Sequence, residues 1–498
     1  MKKYCFALTL ALGILSAKAQ ETTIFDAMRY AHEDLNGTAR FRAMGGAFGA
    51  LGGDLSAIGI NPAGSAVFAN NQVGITLTSF NRTNDARYFG SSTSDVDYSL
   101  DLNQAGGVYV LVNEDQSSDW KKITVALNYD NVNNFDNTTF VSGVNPTASI
   151  ANYFLSFAND NNVLLGDLGG FNYGMLNFAQ WQTLFGYEGF VINPVSQGPQ
   201  STLWVSNVPD GGNYYHEHSM VSTGYNGKLS FNGAVQYQDW LYLGLNLNSH
   251  FSDFRQSTSF FESNQNNAQA GLQRVRFNND LVTFGNGFSF GLGAIAKVNE
   301  ALRLGVSYES PKWLRLEDRF TQSISFSTVQ NGANINNFFD PQQILIFDYR
   351  LQTPSRFTGS FAYVFGKSGL ISIDYSMRNF SNTRFRPESA YFDLNQAMLQ
   401  MLTNTSEIRV GAEKKLKQWS LRAGYRFEQS PYENNEIMGD LNAFSGGLGY
   451  NFGEIRADIS YTHARRDMQM PLLSRGLGSG ADINSINNNV TLTILFEL

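Results

Sequence analysis

The sequence feature that most constrains the fold is an alternation of apolar and polar residues that recurs from about residue 71 to the C-terminus. In the last segment Val490, Leu492 and Ile494 share one face of an extended chain, and Thr491 and Thr493 share the other. Successive side chains of a strand point to opposite faces, so this period of two predicts strands. The same pattern returns in other segments, among them 302–309, 371–376, 421–428 and 455–462.

Fourteen such strands are predicted, and the connections between them are alternately long and short. The strands fall at about 71–81, 102–113, 121–131, 222–237, 240–261, 273–297, 301–324, 343–365, 369–381, 405–416, 419–429, 441–452, 455–466 and 487–498. The long connections fall at 82–101, 132–221, 262–272, 325–342, 382–404, 430–440 and 467–486. An even strand number with long loops at one end and short turns at the other is typical of outer-membrane barrels.

The predicted fold is therefore all-β, a 14-stranded antiparallel transmembrane β-barrel in the cell outer membrane of a Gram-negative bacterium. Closure leaves no unpaired strand edge facing hydrocarbon, which a membrane requires. A large secreted sandwich would also alternate, but it does not need this pattern of turns. A propeller would show a repeat of about 40 residues, and the sequence shows none.

The N-terminus has the pattern of a secretory signal peptide. Lys2 and Lys3 precede a short apolar run, and Ala17-Lys18-Ala19 forms a small-residue cleavage site. The only cysteine, Cys5, lies in this segment, so we expect a mature chain without thiols or disulfides. Removal of the three lysines takes the formal net charge from −8 to −11, which argues against a nucleic-acid partner.

A stretch rich in glycine and alanine, residues 41–68, precedes the first strand. Glycine allows close backbone approach and positive φ. A segment with so little bulk before a barrel of this size predicts a small N-terminal hatch, or plug, in the lumen. The predicted domains are a signal peptide at 1–19, a hatch at 20–70 and the barrel at 71–498. The candidate gate residues are Gly45, Gly46, Asp54, Asn61, Pro62, Ala63 and Gly64.

The polar strand faces then point into the lumen. Arg422, Arg426 and Arg456 lie on them and are the candidate lumen cations, which we expect to hold Asp54 of the hatch.

The long outer loop, 132–221, is dense in large apolar residues. Such residues at a surface mark a binding patch, or they pack together as the core of a lid. The candidates for capture of an apolar ligand are Phe154, Phe157, Leu164, Phe178, Trp181 and Phe185.

Three motifs resemble the FadL/TodX family of outer-membrane transporters. The hatch stretch carries M-G-G-A-F from Met44 and the element Asn61-Pro62-Ala63-Gly64. Residues 302–311 resemble the family's GLSY-x-SP strand, and residues 407–425 resemble its hairpin R-x-GAEY … W-x-LRAGY. Two departures are a final Leu498 in place of an aromatic residue and the length of 132–221.

The resemblance implies passive uptake of hydrophobic small molecules, such as long-chain fatty acids or aromatic hydrocarbons, by a hatch-gated barrel. The substrate would be caught at an outer apolar groove, pass an inner pocket beside Asn61, Pro62 and Ala63, and leave sideways through a gap in the wall. We expect a monomer surrounded by outer-membrane lipid, with no catalytic activity, no cofactor and no metal. Candidate positions for the gap are Gly106-Gly107, Pro311 and Gly285 with Gly287, and the resemblance favours Gly106-Gly107 over Pro311.

Two other functions remain open from the sequence. His216 and His218 share one face of an extended chain, and this spacing is compatible with haem as the ligand. A barrel with adhesive or structural outer loops would need no transported ligand at all. An enzyme is disfavoured because no serine-nucleophile motif accompanies the histidines.

Overall fold

The structure is a computed structural model that describes residues 22–115, 117–169, 173–267, 270–330 and 332–498. The predicted signal peptide, 1–19, lies outside these residues. The helices are α1 Ile24–Ala31, α2 Ala39–Ala43, α3 Ala57–Ile60, α4 Ile150–Asp160, α5 Leu165–Leu168, α6 Phe178–Glu188 and α7 Phe392–Met401, with 3-10 turns at Pro62–Val67, Tyr173–Met175 and Phe380–Asn382. No described helix is long and apolar enough to cross a membrane.

The strands are β1 Gln72–Tyr88, β2 Ser91–Val112, β3 Trp120–Asn134, β4 Asn137–Asn145, β5 Ile192–Pro194, β6 Trp204–Ser206, β7 Tyr214–Tyr237, β8 Leu241–Ser263, β9 Gly271–Lys297, β10 Leu302–Glu309, β11 Trp313–Gln330, β12 Ala333–Phe339, β13 Leu345–Gln352, β14 Arg356–Val364, β15 Gly369–Asn379, β16 Arg384–Arg386, β17 Asn404–Leu416, β18 Trp419–Glu428, β19 Leu441–Asn451, β20 Ile455–Met470 and β21 Ala481–Glu497.

Over the described residues, these strands build a closed, 14-stranded antiparallel β-barrel. Each wall strand pairs with the next along the chain, and β1 closes the ring by pairing with β21, Val73 opposite Phe496. β10 with β11, and β13 with β14, each form one wall strand in two pieces. The predicted fold class is confirmed.

The two faces of the wall differ as a membrane barrel requires. Leu243, Leu245 and Leu247 of β8 are exposed on the outside, whereas Asn246 and Asn248 are buried inside. Near the short turns, aromatic pairs such as Trp120 with Tyr237 lie on the outer surface, with ring centroids 5.1 Å apart. This apolar band with its aromatic rim is the lipid-facing surface.

The predicted long loop at 82–101 is wrong. β1 and β2 continue through it as a long hairpin that turns at Phe89-Gly90, where both φ angles are positive, 43° and 85°. The many Ser, Thr and Asp residues of this segment resemble a loop in composition. Its alternation nevertheless continues, with Tyr98 and Leu100 exposed on the outer face.

The strands predicted as single runs at 301–324 and 343–365 are each interrupted, at 310–312 and 353–355. Pro311 lacks the backbone N–H that a continuous ladder needs. The two interruptions are bonded to each other, because Lys312 N donates to Thr353 Oγ1 at 3.0 Å and Thr353 N donates to Lys312 O at 3.1 Å. The wall is therefore bent here but not open.

The long loop folds into a lid over the outer end of the barrel. Its bounds differ from the prediction, because β3 continues to Asn134 and β7 begins at Tyr214. α4 and α6 pack on each other and on inward residues of the wall, such as Phe277 and Ile324. The apolar residues of the loop thus form a core shared with the outer part of the barrel.

Candidate functional site

The described part of the predicted hatch, residues 22–70, lies inside the barrel. α1 packs in the lumen against wall residues that include Phe254, Leu316 and Tyr349. Residues 37–66 are almost entirely buried and run along the wall to β1. This segment therefore occupies part of the lumen, beneath the lid.

Local contacts explain why the hatch keeps its compact shape. Thr38 caps α2, and its hydroxyl also donates to Asp54 at 2.8 Å. Ser56 N donates to the same carboxylate at 3.0 Å. Gly45 and Gly46, with φ of 62° and 79°, make the turn after α2 that a residue with a Cβ would strain.

Asp54 does not contact the lumen arginines, so that expected pairing is wrong. Its partners Thr38 and Ser56 lie within the hatch, where Asp54 is 3% exposed. Burial raises the pKa of Asp54 above the ordinary carboxyl value. Asp54 therefore links two parts of the hatch to each other and does not link the hatch to the wall.

Asn61 ties the hatch to the wall. Its side-chain amide lies within hydrogen-bond distance of three carbonyl oxygens, Gly49 at 2.7 Å, Ala294 at 3.1 Å and Val306 at 3.3 Å. Its Oδ1 accepts from Ala63 N at 3.1 Å and so caps the 3-10 turn that begins at Pro62. Gly64, in that turn, accepts from Gly53 N at 3.0 Å.

Glycines of the barrel wall make room for the hatch backbone. Gly411 and Gly424, opposite each other on β17 and β18, lie against Met44 and Gly45. Gly244 and Gly293, opposite each other on β8 and β9, lie against Asn61 and Pro62. A Cβ at any of these four positions would overlap the hatch. We call them the wall glycines, and they show that the hatch fits this surface closely.

Polar wall groups hold the same segment. The buried Asp374 carboxylate accepts from Phe48 N at 3.0 Å and Gly49 N at 2.9 Å. Arg40 pairs with Glu413 at 2.9 Å, and Glu413 also pairs with Arg422 at 2.7 Å.

The three candidate lumen cations lie in different surroundings. Arg422 pairs with Glu413, which also pairs with Arg40 of the hatch, and with Asp458 of β20. Arg426 is bound to Glu407 and Glu428. Arg456 lies apart from them, near the short-turn end, and pairs with Glu497 at 2.9 Å.

Two adjoining cavities lie beside residues 30–36 of the hatch. The larger has a charged lining that includes Glu33, Arg356, Arg378 and Arg409. The smaller is lined by apolar groups, among them Phe251, Val132, Leu314 and Leu316, together with Tyr30, His250 and Lys312. Val132 lines both. The site therefore offers a charged chamber next to an apolar one.

Most of the candidate capture residues belong to the lid core. Phe154, Phe157, Trp181 and Phe185 are at most 3% exposed, so they do not form a surface patch in this conformation. Only Leu164 and Phe178 are partly exposed.

Trp181 anchors the lid. Its indole ring is buried and its Nε1 donates to Gln322 Oε1 of β11 at 2.6 Å. We expect Trp181→Ala to destabilise the lid by about 3–5 kcal/mol, the usual cost of removing a buried tryptophan. Limited proteolysis of the folded protein should then cut within 146–213, while the barrel keeps its heat-resistant mobility on a gel. Unchanged resistance of the loop would contradict this role.

The histidine pair is not presented to a ligand. His216 is fully buried, with Nε2 2.9 Å from Glu262 Oε2 and Nδ1 3.1 Å from the Tyr88 hydroxyl. His218 is also buried in β7. In the described part of the chain, no group of three or more His, Cys, Asp and Glu side chains is placed to hold a metal ion.

The wall is continuous at all three positions considered for an exit. Gly106 and Gly107 pair without interruption with β1 and β3, and Gly285 and Gly287 pair with β8 and β11. The interruption at Pro311 is bonded across, between Lys312 and Thr353. The β2–β3 ladder instead ends at Gln104 opposite Asp130. Beyond it β2 and β3 are joined by side chains, as where Asn134 Nδ2 donates to Ser99 Oγ at 2.9 Å.

Sequence reasoning missed the wall glycines and Glu33. The glycines could have been found, because Gly411 and Gly424 fall on inward positions of strands that resemble the family motifs. Glu33 carries no such signal, since it follows α1 in a segment without regular structure.

Comparison with known proteins agrees with this fold. Residues 227–470 match the family described as outer membrane protein transport protein (OMPP1/FadL/TodX). A Pseudomonas aeruginosa FadL homologue is 12% identical, with a TM-score of 0.53 over 94% of this chain and 99% of that chain. The P. putida toluene transporter TodX is 14% identical, with a TM-score of 0.52 over 93% and 99%. No curated protein matches. The match assigns residues 227–470 to the OMPP1/FadL/TodX family of outer-membrane transport proteins, and the chain as a whole has the barrel fold of the solved members.

Proposed function

We propose that the protein is an outer-membrane channel for passive uptake of hydrophobic compounds such as long-chain fatty acids, with the N-terminal hatch as its gate. The observation that carries this proposal is the hatch itself, which lies in the lumen and is held there by Asn61, Asp374 and the wall glycines. A solute on this path meets the hatch, and in our proposal the hatch moves to let it pass. The apolar cavity beside it supplies the favourable site that an apolar solute lacks in water.

The path we propose begins at the lid, passes the two cavities and ends at the gap between β2 and β3. Asp130, Asn131 and Val132 support this exit, since they line the larger cavity and lie where the ladder stops. Beyond that point the wall depends on side-chain hydrogen bonds, such as Thr138 Oγ1 to Asp97 Oδ1 at 3.0 Å. These open at lower cost than a continuous backbone ladder.

Uptake of radiolabelled oleate tests the proposed function. A Gram-negative host that lacks its own fatty-acid channel should take up oleate faster with the protein than without it, and the rate should saturate with concentration. Toluene uptake in parallel separates fatty acid from aromatic hydrocarbon. Equal rates with and without the folded protein, for both solutes, would contradict a transport function.

The exit can be tested by closing the gap covalently. Ser99→Cys with Asn134→Cys places two thiols at side chains that contact each other, in a mature chain predicted to have no other cysteine. We expect a short, reducible cross-link there to bring oleate uptake close to background, with recovery on reduction. The control is Thr358→Cys with Ser376→Cys, a contact at 2.8 Å across the ladder-paired strands β14 and β15. Full uptake through the cross-linked gap would place the exit elsewhere.

A further inference from the structure

Three cations of the barrel wall converge on one carboxylate of the hatch. Glu33 Oε1 lies 2.5 Å from Lys312 Nζ, and Glu33 Oε2 lies 3.1 Å from Arg378 Nη2 and 3.3 Å from Arg356 Nη1. All four side chains are at most 14% exposed. Burial alone would raise the pKa of Glu33, but Lys312, Arg378 and Arg356 hold it well below the ordinary value.

The bent part of the wall positions these cations. Lys312 lies in the interruption between β10 and β11, and Arg356 begins β14 just after the interruption at 353–355. Arg378, near the end of β15, also donates to the Ala31 carbonyl at 2.9 Å. Arg356 also forms an ion pair with Glu309, at 2.5 Å. Lys312 and Arg378, by contrast, have Glu33 as their anionic partner within 4 Å among the described residues. The wall thus builds an anion site that one hatch side chain occupies.

The anion site lies where the charged and apolar cavities meet. Glu33 lines the charged cavity and Lys312 lines the apolar one. Leu314 and Leu316 continue the apolar cavity along β11 from Lys312. A molecule with an anionic head and an apolar tail would place its head at the three cations and its tail against these leucines.

We propose that Lys312, Arg356 and Arg378 form the head-group site for the carboxylate of an anionic amphiphile, and that Glu33 occupies this site until the ligand displaces it. The inference rests on the proposed function and adds a ligand class and a trigger to it. A carboxylate is the group that matches the one already bound. Its entry removes an anchor of residues 32–36 and so loosens the hatch, while a neutral hydrocarbon cannot replace Glu33.

Binding of oleate and of methyl oleate to the purified protein in nanodiscs tests the exchange. In Glu33→Gln the cations lose their internal anion, so oleate should bind at least about tenfold more tightly, as expected for hydrogen bonds to a charged group. Methyl oleate, with the same tail and no charge, should bind as it does to the wild type. The matched control is Asp34→Asn, which removes one negative charge at the adjacent residue. Among the described residues no cation lies within salt-bridge distance of Asp34, so its loss should leave oleate binding unchanged. Unchanged or weaker oleate binding in Glu33→Gln, or an equal gain for both ligands, would overturn the proposal.

A second measurement does not depend on the folding of that variant. A spin label on Asp34→Cys, in a chain that keeps Glu33, reports the mobility of residues 32–36. Oleate should mobilise the label and methyl oleate should not; the same response to both ligands, or none to oleate, would overturn the proposal. Binding of neither ligand by any variant would overturn the proposed function as well, whereas equal binding of both would overturn this inference alone.

Discussion

Replacing Gly424 by leucine is expected to displace the hatch and open the lumen to small solutes. Gly424 lies against the backbone of Met44 and Gly45, so a larger side chain meets atoms that no rotamer change can move. Its neighbour Gly411 already leaves no spare room. Because overpacking of 1–3 kcal/mol or more must be relieved by moving the hatch, we expect uptake of a small hydrophilic solute to rise at least about tenfold.

The control for this experiment is Gly359→Leu on β14. Gly359 lies in a ladder like Gly424, but a Cβ there meets no atom within 4 Å. Both variants should show the heat-resistant mobility of a folded barrel, and Gly359→Leu should stay impermeable. If Gly424→Leu assembles and is no more permeable to the small solute than the wild type, the close fit of the hatch to the wall does not seal the channel.

Asn61→Ala is expected to have the second-largest effect. It removes the donor that the Gly49, Ala294 and Val306 carbonyls share and the cap on Ala63 N. A buried polar group left without its partner costs about 1–3 kcal/mol, so the undocked hatch should become about ten- to a hundredfold more populated. Solute leakage in liposomes should rise, and proteolysis between residues 37 and 68 should become detectable.

Two companion variants sharpen this result. Asn61→Asp keeps the oxygen that caps Ala63 but turns a carboxylate towards three carbonyls, so its leakage should equal or exceed that of Asn61→Ala. Asn70→Ala, at the exposed last residue of the hatch, should behave as wild type. Leakage in Asn61→Asp as low as in the wild type would show that the donated hydrogen bonds do not hold the hatch.

The fold could be predicted from the sequence because strand alternation is local. The alternation in 487–498 can be recognised without knowing which strand pairs with it. The small side chains of 41–68 likewise predict, without any partner, a compact segment that lies in the lumen. The hairpin at 82–101 is not predicted because Ser, Thr and Asp occur both in loops and on the polar faces of strands. The sequence predicts an interruption at Pro311 but not how it is closed, because the hydrogen bond from Lys312 to Thr353 depends on a second interruption 41 residues later.

The candidate site was less accessible to sequence reasoning because its contacts are distant in the chain. Asp54 was assigned to arginines of the wall, yet its partners Thr38 and Ser56 lie within the hatch. The aromatic residues of the lid have the same composition whether they face solvent or one another. Glu33 meets cations from β14, from β15 and from the interruption between β10 and β11, a relation that appears only when the barrel closes around the hatch.

The central claim, that the hatch must move for transport, is tested most directly by locking it to the wall. Gly49→Cys with Ser360→Cys brings two thiols together, since a Cβ at Gly49 would lie 3.0 Å from the Cβ of Ser360, and a small shift of the loop gives the 3.5–4.5 Å of a disulfide. Oleate uptake should fall to background in the oxidised double variant and return on reduction, while Ser360→Cys alone transports in both states. Equal uptake by the oxidised and reduced double variant would contradict the hatch as the gate.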